Sequence, residues 1–168
     1  HVITTPNVSF PACAARWHTC GAKGRRIAVV YGDCGTGGEI DAFLKPEKVD
    51  RTSGPHCHEM FIGPSEFDAK MAGELGISFL TDYMVWNFKR IVMQGMGLRK
   101  HLQLRDMYFG NYTRALYIAH SEDEALQAKA RHAAATLGPA YEFRFTGFGE
   151  LPTWAAASVS AGILAKGD

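Results

Sequence analysis

Between Arg26 and Gly38 the chain reads Arg-Ile-Ala-Val-Val-Tyr-Gly-Asp-Cys-Gly-Thr-Gly-Gly. No other stretch restricts the fold as strongly. Ile27 to Tyr31 is a short apolar run rich in β-branched residues, the pattern of a strand buried on both faces of a parallel sheet. It stops at Gly32-Asp33-Cys34-Gly35-Thr36-Gly37-Gly38, where four glycines in seven residues permit backbone angles closed to other side chains. Glu39 to Leu44 then reads as helix. Strand, glycine loop and helix in this order aim loop amides and a helix N-terminus at a ligand. Gly35, Thr36, Gly37 and Gly38 are therefore candidate ligand-binding positions. Cys34 adds a thiol at the strand's carboxyl end, where a helix N-terminus favours the thiolate. Neither the phosphate-loop pattern nor the dinucleotide GxGxxG spacing is met, and many such loops only turn the chain.

A sheet with helical cover follows from the rest of the chain. Ile77 to Leu80, Ala115 to Ala119 and Ala140 to Phe145 are further strand candidates, the last alternating aromatic and charged residues as an edge strand does. Between them, Pro64-Ser65-Glu66 opens a helix with a Phe67, Met71, Leu75 stripe, and Met84 to Met96 is helical. Ser121 and Glu124 form a capping box for a helix running to Leu137, lined by Leu126, Ala130, Ala133, Ala134 and Leu137. A last helix covers Trp154 to Leu164. This alternation predicts an α/β fold: a single three-layer domain over 24–168 with a mainly parallel, Rossmann-like sheet, preceded by an irregular arm over 1–23. At 168 residues the chain is long enough for a proper core.

The net charge of +1 gives no electrostatic footprint for nucleic acid, and no apolar run approaches the roughly 20 residues that span a bilayer. The N-terminus lacks the order of a signal peptide. A cytoplasmic protein without nucleic-acid or membrane partners is expected. Cys13, Cys20, Cys34 and Cys57 all fall in the first third. In a reducing compartment that distribution suits buried thiols, a metal site or catalysis better than a disulfide scaffold. The spacing of Cys13 and Cys20 fits no zinc motif and favours packing.

A second unusual loop, Arg51 to Gly63, carries His56-Cys57-His58-Glu59, the densest group of metal-ligand side chains in the chain. Consecutive residues cannot all bind one ion comfortably, but two of them together with Cys34 could hold zinc or iron. Parallel topology would bring both loops to one sheet edge and their sulfurs across one crevice. Each residue taken singly is more often structural. Asp82, after the second strand, joins the ligand-binding candidates, and His120 ends the third strand on the same expected edge.

Read together, residues 31–38, 54–63 and Phe-Leu-Thr-Asp at 79–82 resemble a bacterial and archaeal family, domain of unknown function 1638. Tyr-Phe-Gly-Asn-Tyr at 108–112 and Thr-Gly-Phe-Gly-Glu-Leu at 146–151 are similar to its later blocks. The resemblance runs from about Arg26 to Trp154 and implies that Cys34, His56, Cys57 and Glu59 are functional, with Cys34, His56 and Cys57 as the expected metal set and Cys34, Cys57 and Glu59 as the expected catalytic residues. Through the gene neighbours of family members it also implies a link to corrinoid-dependent methyl transfer. The expected function is then a metal- or thiol-dependent protein of one-carbon metabolism acting on a small molecule. A corrinoid would be reached through a partner, itself a corrinoid or methyltransferase protein. A non-catalytic corrinoid- or metal-binding accessory module, or a dithiol redox protein, stands beside that reading.

Overall fold

The structure, a computed structural model, describes residues 2–3, 28–33, 36–52, 54, 56–73 and 76–160. Its strands and helices in chain order are β1 (Val2–Ile3), β2 (Ala28–Val29), α1 (Glu39–Leu44), α2 (Glu59–Ile62), α3 (Pro64–Gly73), β3 (Ile77–Thr81) and α4 (Asp82–Trp86). A π-helical segment, Lys89–Gln94, follows, then α5 (Leu104–Phe109), β4 (Arg114–Ala119), α6 (Glu124–Leu137), β5 (Ala140–Phe145) and α7 (Leu151–Ser160). The chain divides into two compact units, His1–Met60 with Phe148–Asp168, and Phe61–Gly147.

The second unit is built on β4. Ala115 to Ala119 are at most 1% exposed, so both faces of this strand are covered. β4 pairs in parallel with β3 on one side and β5 on the other. Ala115, Tyr117 and Ala119 face a core with Leu126, Ala130, Ala133 and Ala134 of α6 and Val85 of α4. Leu116 and Ile118 point the other way, onto Ile62, Phe67 and Ile77. Period-two alternation thus makes a helix–sheet–helix sandwich. Alanines at three core positions of α6 let that helix approach the aromatic rings on the sheet closely, at little side-chain entropy cost. The α/β class, the parallel pairing and the core face of α6 agree with the sequence reading.

In the first unit, β2 pairs in parallel with β1. Val29 also forms a parallel bridge with Arg51, through Val29 N–H to Asp50 O at 2.9 Å and Thr52 N–H to Val29 O at 3.0 Å. Ile40 and Leu44 of α1 pack on Val29 with Tyr31, Phe43 and Val49, and α7 lies against β2. Among the described residues the strands form two hydrogen-bonded groups, with β2 paired to β1 rather than to β3–β5. Within the 1–23 arm, β1 is described as strand; Cys13 and Cys20 lie outside the described residues.

Two sequence expectations are corrected. The stripe Phe67, Met71, Leu75 buries only in part among the described residues: Phe67 is in the core, Met71 is 49% exposed, and Leu75 lies outside the described residues. The sheet-facing side of α3 is set by Phe67 against Phe79 and by Glu66 and Lys70, which reach Arg144 and Glu142 of β5 at 2.9 and 3.6 Å. That rotates Met71 outward.

Nor is Ser121 the cap of α6. Asp123 is, its carboxylate accepting from the amides of Ala125 at 2.8 Å and Leu126 at 3.1 Å. A carboxylate complements the helix N-terminus better than a hydroxyl. Ser121 is drawn instead to Asp82, donating to its Oδ2 at 3.1 Å. Asp123→Ala should therefore cost about 0.5–2 kcal/mol in chemical denaturation. The smaller cost of Ser121→Ala should vanish in an Asp82→Ala background; persistence there would return Ser121 to a capping role.

Candidate functional site

The glycine loop and the His-Cys-His loop leave the carboxyl ends of two adjacent parallel segments, 28–29 and 51–52, joined through α1. Such ends strand carbonyls beyond the last ladder bond, and here Arg51 collects them. Its Nη1 donates to the carbonyls of Thr52 at 2.7 Å, Tyr31 at 3.2 Å and Gly54 at 3.2 Å. The rest of the guanidinium grips Asp41 of α1, with Nη2 to Oδ2 at 2.7 Å. This pairing holds the Asp41 carboxyl below, and the Arg51 guanidinium above, their ordinary pKa ranges. Thr52, 4% exposed, takes the Tyr31 amide on Oγ1 at 3.1 Å and returns its hydroxyl to the Tyr31 carbonyl at 3.2 Å.

The two loops touch at their backbones. A Cβ built on Gly32 would overlap the amide nitrogen of Cys57 and lie 2.8 Å from the carbonyl carbon of His56. Only glycine permits this approach. Within the first loop, Asp33 accepts from the Thr36 hydroxyl and, at 2.9 Å, from the Gly38 amide. The Gly38 amide, expected from the sequence to serve a ligand, is thus spent on an internal carboxylate. Gly37 and Gly38 turn the chain into α1 with φ of 59° and 87°. Cys34 and Gly35 lie outside the described residues.

In the second loop His56 is exposed, and Cys57 and His58 are half-buried. Cys57 Sγ stands 3.8 Å from His58 Nδ1. Burial, reinforced by the charge of His56, pushes the His58 pKa from 6.5 down to about 4. His58 is therefore neutral near pH 7. The contact is between a sulfur and a neutral imidazole, not the imidazolium that would hold a thiolate. Zinc binds thiolate and neutral imidazole, so Cys57 and His58 suit that ion chemically, and His58 joins the expected Cys34, His56 and Cys57 as a candidate ligand. Among the described residues no three His, Cys, Asp or Glu side chains converge on one point for a metal. Glu59 opens α2 and tucks its carboxylate under Gly54, where an added Cβ would lie 2.8 Å from Oε2.

Asp82 belongs to the other unit, in a cluster of its own. Capped by the Thr81 hydroxyl at 3.4 Å, the first turn of α4 presents Asp82 to the exit of β4. The carboxylate accepts from Tyr117 Oη at 2.8 Å, the His120 amide at 3.1 Å and the Ser121 hydroxyl. Burial, then the bond to Asp82, pushes the Tyr117 hydroxyl far up. Burial lowers the His120 pKa against the opposing pull of Asp82, and the Phe61 ring lies 4.0 Å from the His120 ring, tilted by 38°. With three donors on it, Asp82 is a fastener between strand ends. Sequence reasoning missed Arg51 and Tyr117, and it named His58 in the ligand-rich group without placing it in the expected metal set. For Tyr117 a signal existed, a hydroxyl in an otherwise apolar central strand that must find a buried partner.

Parallel strands under helices, with a thiol-bearing loop packed on a glycine loop at the strands' carboxyl ends, define an α/β protein with its candidate site at the place where such folds bind ligands. The chain belongs to the family described as protein of unknown function (DUF1638), whose model matches residues 16–153. That span contains both loops, Asp82 and His120. No curated protein and no solved structure matches the chain.

The steric argument at Gly32 is testable. Gly32→Ala should cost about 1–3 kcal/mol and raise the rate of Cys57 modification in peptide mapping. Gly38→Ala, with open space around it, should cost about 1–2 kcal/mol from its φ alone and leave that rate unchanged. Equal labelling in both variants would refute the contact.

His58 makes acid stability a second test. Its folded pKa, about 4, lies below the unfolded 6.5, so the unfolded chain takes up the proton first. Stability is then full above pH 6.5 and falls as pH drops toward 4. Urea melts of His58→Asn should show a shallower loss across that window; an unchanged slope would exonerate His58.

Proposed function

We propose that this chain is a thiol-dependent, metal-assisted protein of one-carbon metabolism, working in the cytoplasm on a small molecule in corrinoid-linked methyl transfer. The observation that carries the site is the backbone contact of Gly32 with His56 and Cys57. It puts the chain two residues before Cys34 directly against the loop bearing Cys57. The methyl-transfer context is taken from the family resemblance. In this reading Cys34 and Cys57 are the sulfur ligands, with an imidazole from His56 or His58 beside them. Glu59 moves the proton, and Gly35, Thr36 and Gly37 line the substrate's approach, with Asp82 holding the strand ends of its own unit in place. Zinc or iron bound there would keep the thiols ionised and lower the pKa of a substrate thiol. The partner is a corrinoid or methyltransferase protein, and neither nucleic acid nor membrane takes part. Among the described residues no helix is long and apolar enough to cross a membrane.

Metal analysis of untagged protein tests the proposal. About one zinc or iron per chain is expected, lost in Cys57→Ser while circular dichroism is unchanged. Metal-free protein with a reversible Cys34–Cys57 disulfide would replace it by the redox reading. Metal-free protein isolated with a corrinoid protein attached would replace it by the accessory-module reading.

A further inference from the structure

β5 carries a pattern that its own sheet does not use. Its N–H groups at Ala140 and Thr146 donate to the carbonyls of Thr113 and Ala119, at 2.9 and 3.0 Å. Strand alternation makes the even-numbered residues the ones bonded to β4, and turns the N–H and C=O of Tyr141, Phe143 and Phe145 to the opposite side. Among the described residues no strand pairs on that side. Phe143 and Phe145 are 41% and 46% exposed, although both are large and apolar.

We propose that β5 pairs antiparallel with β5 of a second copy of this chain, about a two-fold axis at Phe143. The register is chosen by charge. Centring on Phe143 sets Glu142 opposite Arg144 of the second copy, twice, and Tyr141 opposite Phe145, twice. Tyr141, Phe143 and Phe145 are also the residues whose backbone groups face outward, so they fall at the hydrogen-bonded positions. Glu142 and Arg144 fall at the non-bonded positions, where side chains approach closest. The intramolecular ion pairs lengthen the match: Arg114 meets Glu142 and Glu66 meets Arg144, each at 2.9 Å. Across the two-fold they form one ladder of alternating sign, Arg114, Glu142, then Arg144 and Glu66 of the second copy. A shift of the axis by one residue would set Glu142 opposite itself or Arg144 opposite itself. The interface is isologous and closes at two chains.

Sedimentation under reducing conditions tests this pairing, with thiols kept out of the association. The wild-type chain should sediment at twice the mass of 18.4 kDa. Phe143→Pro removes an outward N–H that the β4 ladder does not use, a substitution edge strands tolerate; it should give a folded monomer. Arg144→Glu and Glu142→Arg, each like-charged across the axis, should each be monomeric and should form a dimer when mixed one to one. A monomeric wild type, a dimer that survives Phe143→Pro, or a mixture that stays monomeric would each overturn the proposal.

Discussion

Where parallel strands end, carbonyls and amides run out of ladder partners just where loops must be held for chemistry. Arg51 resolves this for the first unit with one guanidinium, whose donors reach carbonyls on both departing loops while its remaining edge locks onto α1. Lysine could not replace it: a point charge lacks the planar fork that binds a carboxylate and carbonyls together. With the side chain only 14% exposed, the charge is sheltered enough to order its neighbours, and Asp41 supplies the counter-charge. The glycine loop owes its fixed ends to this residue.

The second unit meets the same need with the opposite charge. There the stranded groups are donors, the His120 amide and the Tyr117 and Ser121 hydroxyls, and a carboxylate gathers them. The geometry makes Tyr117 dependent on Asp82, because a phenol with no exposed surface in the central strand would otherwise pay the full cost of a buried unsatisfied donor. Each unit thus joins neighbouring strand ends through one ionic side chain.

The sequence displayed what is repeated and local. Apolar runs found β3, β4 and β5, and the spacing of Leu126, Ala130, Ala133, Ala134 and Leu137 found the buried face of α6 residue for residue. Glycine density found the first loop, and residue type found the second. What it hid were choices between near-equal local partners. Ser121 and Asp123 both suit a cap, and only the position of Asp82, 39 residues back along the chain, decides between them. His56 and His58 flank Cys57 symmetrically in sequence, but the fold half-buries one and exposes the other. Arg51 reads as an ordinary surface cation until the carbonyls around it are known.

The bare backbone contact at Gly32 has a mechanical meaning. Side chains that interlock can slide or change rotamer, whereas two main chains in van der Waals contact have no soft coordinate between them. A movement of the glycine loop at Gly32 toward this contact would therefore push the peptide joining His56 to Cys57 along with it. On the proposed function, a shift of Gly32 would reach the residue that carries the Cys57 sulfur through main chain alone.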